Sequence, residues 1–213
     1  MAIDDLLDEH EQSERVRNWL KNNGAGMIGG IALGLAVIFG WQWWQKHQVQ
    51  QAEQANLDYQ TAVDSLGASD LKKAQAEAAK LQGDQANVYA ALTGLRVAKA
   101  QVDAGQTEAA IATLRGLKPD PSLKSLVDLR LARLLIDAGK GDEALKVLAD
   151  ASDSSSLEAR GDALLATGKR DQARDIYLKA LTGMDVAAQQ RRLVELKLSD
   201  AGGTPPKPEQ PTR

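Results

Sequence analysis

Charged residues are unevenly distributed along the chain, and one long stretch near the N-terminus has none. The run GAGMIGGIALGLAVIFGWQWW, residues 24–44, lies between Lys21 and Lys46 with no acidic or basic side chain. As a helix, these 21 residues rise about 31 Å, which matches a hydrocarbon core of roughly 30 Å. The pattern predicts a transmembrane helix over 24–44, with residues 1–23 on one side of the bilayer and the larger part of the chain on the other.

Beyond the span, glycines interrupt the hydrophobic pattern at regular intervals. The segments VDAGQTEAAIATLRGL, IDAGKGDEALKVLADA and LATGKRDQARDIYLKA align without gaps on Gly105, Gly139 and Gly168. Alanine follows each glycine after five residues and a large apolar residue after nine, giving Ala110, Ala144, Ala173, Leu114, Leu148 and Tyr177. Glycine tolerates the positive φ that ends a helix, and alanine lets two helices approach closely. The pattern predicts repeated units of helix, glycine turn and helix.

The spacing of these units resembles that of tetratricopeptide repeats. Gly139 lies 34 residues after Gly105, which is the period of that family, and Gly168 follows after a shortened 29. One long coiled coil is disfavoured, because the glycines break the chain and the apolar spacing is not sustained across them. The predicted fold is all-α: a single N-terminal transmembrane helix followed by a tetratricopeptide-like array of helical hairpins over 45–198.

The two ends of the array depart from the pattern. Upstream, QVQQAEQANLDYQTAVDSL and SDLKKAQAEAAKLQG predict two alanine-rich helices around Gly67, with alanine out of register, as in a degenerate first unit. Downstream, DVAAQQRRLVELKLSD predicts a last helix that covers the exposed end of the array. The remaining residues, 199–213, are proline-rich, and a disordered tail is expected there.

Small residues form one face of the predicted span. Gly26, Gly30 and Gly34 recur every four residues, so another membrane helix can approach this face closely. Glycine is also common in membrane spans generally, and both explanations stay open. Amphipathic indoles favour the headgroup level, so we expect four tryptophans to anchor the two ends of the span, namely Trp19, Trp41, Trp43 and Trp44.

The stretch GAGMIGG, residues 24–30, has the GxGxxG spacing of dinucleotide-binding loops. In such loops the glycines follow a buried strand, and an acidic residue lies about 20 positions further on. Here the preceding residues are polar and charged, and the next acidic residue is Glu53. A dinucleotide-binding domain is therefore not predicted, and no cofactor is expected.

Basic residues near the span predict its orientation. Arg15, Arg17 and Lys21 precede it, whereas only Lys46 lies within 20 residues after it. Because lysine and arginine resist translocation, we expect the N-terminus in the cytoplasm and the array in the periplasm. A cleavable signal peptide is disfavoured by the acidic start, the long apolar run and the absence of a cleavage site.

Composition limits the chemistry that the chain can perform. There are no cysteines and only two histidines, His10 and His47, so neither a histidine-based triad nor a metal cluster is expected. The serines at 154–156 lack a histidine and are typical of a loop before a helix. The net charge of −3 disfavours nucleic acid as a partner. We expect no catalytic or metal site and no enzymatic activity.

Three features together resemble the YfgM family of ancillary SecYEG translocon subunits. They are the N-terminal DDLLDEHEQSERVRNWLKNNGAG, the glycine-rich span ending in GWQWWQ, and the short hairpin array. The resemblance implies a single-pass inner-membrane protein that binds the translocon and the periplasmic chaperone PpiD, meets emerging nascent chains, and helps transfer exported proteins to periplasmic chaperones. A membrane-tethered scaffold for another envelope assembly is the alternative, because repeat arrays serve many unrelated functions.

Tetratricopeptide arrays line their concave surface with the first helix of each hairpin. Carried over by register from the turn glycines, this resemblance implies a protein-binding groove formed by Leu95, Lys99, Leu129, Arg133, Glu158 and Asp162. The same positions are also compatible with solvated charges and leucines of the hairpin core. The sequence leaves this choice open.

Overall fold

A computed structural model describes residues 2–81 and 88–206, with side chains from Ser13 onward. It divides into two compact units, Met1–Gln54 and Ala55–Arg213, and every regular element among the described residues is an α-helix. These helices are α1 (Ala2–Gly67), α2 (Leu71–Lys80), α3 (Val88–Asp103), α4 (Thr107–Gly116), α5 (Pro121–Asp137), α6 (Gly141–Val147), α7 (Ser154–Ala166), α8 (Arg170–Thr182) and α9 (Gln189–Asp200).

The first helix, α1, runs without a break through the predicted span. Its part from Ser13 to Gly67 is long and apolar enough to cross a membrane, and none of its most apolar window is buried within the protein. No proline or glycine lies between Trp44 and Leu66, and the helix continues through that stretch. Neither residue 24 nor residue 44 is therefore a helix boundary.

Helical hairpins form the second unit, and three of them turn at the aligned glycines. Gly105, Gly139 and Gly168 have φ angles of 74°, 73° and 74°. At Gly105, the glycine N–H donates to the carbonyl of Val102 and the next N–H donates to the carbonyl of Gln101, at 2.9 and 2.7 Å. The same two bonds recur at the other two turns, and together they make the Schellman motif that ends a helix in left-handed backbone.

The first hairpin joins the end of α1 to α2, and it turns at Ser69 rather than at Gly67. Ser69 has a φ angle of 61° and makes the same pair of backbone hydrogen bonds as the turn glycines. Ala62 and Ala74, both fully buried, lie seven residues before and five residues after it, as in the later units. The prediction that the alanines of the first unit are out of register is therefore wrong. Serine takes the position of the turn glycine, and the alanines keep the spacing seen in the later units.

The last helix, α9, is also in register with the repeats. Gly202 lies 34 residues after Gly168, has a φ angle of 85° and makes the same two backbone bonds. Thus α9 is the first helix of a further unit, and in the described chain no second helix follows it before Pro206.

The folded region extends further than the predicted boundary at 198. The last helix ends at Asp200, Ala201 is only 3% exposed, and a Cβ on Gly203 would lie 2.3 Å from a methyl carbon of Leu198. The expected tail, 199–213, therefore begins too early, because α9 includes Ser199 and Asp200, and Ala201 and Gly203 pack on the array. Residues 207–213 lie outside the described residues.

Successive units are joined by a buried core and by surface ion pairs. The alanines five residues after the turn glycines, Ala110, Ala144 and Ala173, are fully buried. On the surface, the Lys140 ammonium lies 2.6 Å from a carboxylate oxygen of Glu108, and that of Lys169 lies 3.1 Å from Asp142. In each pair, the lysine directly follows a turn glycine. Its acidic partner lies three residues after the turn glycine of the preceding unit. Exposed pairs of this kind contribute about 0.2 to 1 kcal/mol each.

We expect Gly139→Ala to lower the free energy of unfolding by about 1 to 2 kcal/mol, because alanine is strained at positive φ. A Cβ at Gly139 would meet no atom within 4 Å, so the cost arises from the backbone alone. Gly116→Ala is the matched control, since Gly116 has equal space but is the last residue of α4 and has no positive φ. That change should leave stability unaltered or raised by up to about 1 kcal/mol. Urea unfolding followed by circular dichroism checks both, and equal effects would contradict the explanation.

Candidate protein-binding surface

The six residues predicted to line the groove do not share one environment. Leu95 and Leu129 are half-buried and pack against the main hydrophobic core. Lys99 and Arg133 are exposed, and the Lys99 ammonium lies 2.5 Å from the Asp103 carboxylate one turn further along α3. The α3 and α5 members therefore combine core leucines with solvated cations.

The two predicted acidic residues on α7 are occupied by another part of the chain. Glu158 is 5% exposed, and Asp162 is half-buried. From α9, the Lys197 ammonium donates to an oxygen of Glu158 at 2.6 Å and to an oxygen of Asp162 at 2.7 Å. At α7 the two acids predicted to line the groove are therefore already paired with a cation that the last helix supplies.

Two further groups complete this charged cluster. The Tyr177 hydroxyl donates to Asp162 at 2.6 Å, and the Arg133 guanidinium lies 3.7 Å from Glu158. Burial lowers the pKa of the Lys197 ammonium, but its hydrogen bonds to Asp162 and Glu158 prevail, so the pKa is raised overall. Burial and the bond to Asp162 also raise the pKa of Tyr177 far above its usual range. The cluster therefore holds α7, α8 and α9 together as a structural element.

A repeated motif appears when the exposed and half-buried positions of the first helices are compared by register. When positions are counted back from the turn glycine of each unit, α3 and α5 carry the same four kinds of residue on one face. These are a leucine, an arginine, a lysine or arginine, and an aspartate. The two sets are Leu92, Arg96, Lys99, Asp103 and Leu126, Arg130, Arg133, Asp137. We name their four cations, Arg96, Lys99, Arg130 and Arg133, the basic strip. Only Lys99 and Arg133 were predicted, although the 34-residue spacing would have found the others.

The membrane-helix candidates lie on an unobstructed part of α1. A Cβ added at Gly26, Gly30 or Gly34 would meet nothing within 4 Å. The four predicted anchor tryptophans are 49% to 70% exposed; they are Trp19, Trp41, Trp43 and Trp44. The last three lie within four positions, with the Trp41 and Trp44 rings 5.3 Å apart and the Trp43 ring stacked on His47 at 5.7 Å. Among the described residues, no group of three potential metal ligands comes together.

The chain matches known proteins over most of its length. Residues 17–203 match the model of a tetratricopeptide repeat-like domain family. Over 200 residues, the chain is 32% identical to the ancillary SecYEG translocon subunit of Escherichia coli (strain K12), covering 91% of this chain and 96% of that protein. The chain belongs to the family of ancillary SecYEG translocon subunits. The resemblance to the YfgM family is thereby confirmed, and the relatives are named as subunits rather than as enzymes.

A second member of the family matches over a shorter region. The ancillary SecYEG translocon subunit of Haemophilus influenzae is 32% identical over 109 residues, which cover 51% of this chain and 53% of that protein. The tetratricopeptide-like repeats of a kinesin light chain protein from Podosopora anserina superpose with a TM-score of 0.50 at 15% identity, over 70% of this chain and 85% of that one. That likeness concerns the fold alone. The predicted all-α architecture, an N-terminal helix able to cross a membrane followed by a tetratricopeptide-like array, is confirmed.

Proposed function

We propose that this protein is a non-enzymatic accessory subunit of the SecYEG translocon in the bacterial inner membrane. The observation that carries the proposal is the match to the Escherichia coli subunit over 96% of its length. Such coverage includes both the apolar part of α1 and the array, so the two parts occur in the same arrangement in a named translocon subunit.

In this proposal, α1 packs against other membrane helices through Gly26, Gly30 and Gly34. Between membrane helices, lipid removes the hydrophobic drive, and close backbone contact stabilises association instead. The exposed glycine face and the open space around it support this role. The tryptophans at the two ends fix the depth of the span in the bilayer.

The array in this proposal lies in the periplasm, with the N-terminus in the cytoplasm. It binds a membrane-anchored chaperone of the PpiD kind, meets emerging nascent chains, and helps pass exported proteins to periplasmic chaperones. The orientation is supported by Arg15, Arg17 and Lys21 before the span against Lys46 after it. An export-dependent reporter enzyme fused after Gly203 should therefore be active, and an inactive fusion would overturn this orientation.

The proposal is tested by recovering the full chain from gently solubilised membranes with a C-terminal tag and identifying the proteins that co-purify. The reference carries an unrelated membrane span in place of residues 24–44. Translocon subunits and a PpiD-like chaperone should be enriched with the native span. Recovery of other envelope proteins instead would favour the alternative scaffold function.

The glycine face provides a sharper prediction in the same experiment. Gly30→Leu with Gly34→Leu should reduce translocon recovery by about fivefold or more, because the added side chains separate the helix backbones. A Cβ at either position meets no atom within 4 Å, so we expect the fold of the chain itself to be retained. Ala32→Leu with Ala36→Leu adds three carbons per site instead of four, on another face of the helix, and is the matched control. Unchanged recovery with both glycine substitutions would show that the span is only a tether.

A further inference from the structure

We propose that the basic strip is a docking surface for an acidic, leucine-containing segment of a partner protein. The inference rests on the proposed function, in which the array binds proteins, and it specifies the chemistry of the segment that the array binds. The strip comprises Arg96, Lys99, Arg130 and Arg133 on the neighbouring helices α3 and α5. Its observational basis is a surface motif that repeats with the 34-residue period of the array.

All four cations of the strip are exposed, and only part of their charge is neutralised within the chain. Lys99 pairs with Asp103, Arg133 lies 3.7 Å from Glu158, and Arg96 lies over the Tyr59 ring at 5.8 Å. Arg130 takes part in none of the ion pairs found among the described residues. The centre of the surface is therefore positive, and an acidic segment complements it.

Apolar groups next to the strip define a second requirement for the partner. Leu126 begins the α5 set and is 38% exposed, and Val102, near the end of α3, is exposed to the same extent. A segment that carried charge alone would leave these side chains in water. A segment with leucine between its acidic residues would cover them and gain about 25 cal/mol per Å² of apolar area buried.

The strip is absent from the first helices of the other hairpins, so the proposed site is limited to α3 and α5. The equivalent positions on α7 are Ser155, Ala159, Asp162 and Ala166. The carboxylate of Asp162 is already bonded to Lys197 and Tyr177. Cations are thus concentrated on α3 and α5, where helix axes lie about 8 to 10 Å apart. An extended chain spans that distance in about three residues, so acidic residues at every third position can meet both helices.

The test uses the full chain in detergent micelles and a fluorescein-labelled peptide of about 12 residues built from Glu-Leu-Ser triplets. Its reference has lysine in place of every glutamate. Fluorescence anisotropy should show the acidic peptide binding at least about tenfold more tightly than the basic one, and more weakly as salt is raised. Equal binding of the two peptides would overturn the inference.

Charge reversal locates the binding site. Lys99→Glu with Arg130→Glu should weaken binding of the acidic peptide by about tenfold or more. Lys118→Glu with Lys179→Glu changes the net charge equally at exposed positions outside the strip, and it should alter binding by less than about twofold. Lys99→Arg with Arg130→Lys keeps the charge and should retain binding, and circular dichroism melting checks that each variant is folded. Equal losses in the strip and control variants would overturn the site.

Two parallel measurements separate this inference from its alternatives. Glycerol phosphate, which carries the anionic group of a phospholipid headgroup without acyl chains, is added as a soluble competitor, and a strip that bound it while ignoring the acidic peptide would show a phosphate-binding surface instead. Translocon recovery is measured on the same membranes. If the translocon co-purifies while the peptide fails to bind, the inference fails alone. If the translocon is absent, the proposed function fails, whatever the peptide does.

Discussion

Replacing Tyr177 with alanine should lower the free energy of unfolding of the array by about 3 to 5 kcal/mol. The Tyr177 side chain is fully buried in the core shared by α7, α8 and α9. It packs directly on Gly161, where an added Cβ would lie 2.3 Å from a ring carbon. The substitution removes the whole ring and creates a cavity next to Asp162.

Two comparison variants separate the contribution of the ring from that of the hydroxyl. Tyr177→Phe keeps the ring but removes the bond to Asp162, and it should cost only about 0.5 to 1.5 kcal/mol. Leu178→Ala, at the adjacent and 37% exposed position, should cost under about 1 kcal/mol. Urea unfolding of the full chain in micelles measures all three. If Tyr177→Ala cost no more than Leu178→Ala, the core described here would be wrong.

Replacing Lys197 with methionine should cost about 2 to 4 kcal/mol. The substitution leaves Glu158 nearly buried with no cation closer than Arg133, whose guanidinium lies 3.7 Å away. It also leaves the carboxylates of Glu158 and Asp162 without the ammonium that bridges them. The value is below that for a fully buried pair, because the Lys197 side chain is 24% exposed.

Charge neutralisation distinguishes this explanation from a simple packing defect. Glu158→Gln with Asp162→Asn in the Lys197→Met background should recover part of the lost stability, because no uncompensated charge then remains. The same pair of changes in the native chain should be destabilising, since it weakens the bonds that Lys197 donates. Equal effects in the two backgrounds would show that the three groups do not interact.

The dependence of stability on pH follows from the raised pKa of Lys197. A cation whose pKa is raised in the folded state contributes all of its stabilisation below its unfolded pKa, here 10.5, and loses it as pH rises through the folded pKa. From about pH 9 to about pH 12, the native chain should therefore lose more stability than the Lys197→Met variant. Parallel losses would contradict the assignment of this stabilisation to the ammonium.

The sequence identified the helical hairpins because their signals are local. Gly105, Gly139 and Gly168 occupy positions that need left-handed backbone, and alanine at fixed spacing marks the close helix contacts. The turn at Ser69 was missed because a search for glycine does not find a serine with positive φ. Its flanking alanines, Ala62 and Ala74, carry the signal that would have found it.

The charged cluster was harder to predict because its contacts are distant in sequence. Lys197 lies 39 residues from Glu158 and 35 from Asp162, and no local pattern indicates which face the last helix covers. The helical register places both acids on one face of α7, and in the structure the last helix covers that face. Whether that side stays open depends on tertiary packing, which only the structure shows.

Among the described residues, no second helix follows the turn after α9, and this bears on how the array ends. Gly202 leaves α9 in the same backbone conformation that elsewhere starts a second helix, and Asp171 occupies the position at which Glu108 and Asp142 accept a lysine from the next turn. Pro205 and Pro206 follow, and proline interrupts helices. Within the described residues, the end of the array is thus marked by a few residues at one junction, while the turn that leads out of α9 keeps the geometry of an internal unit.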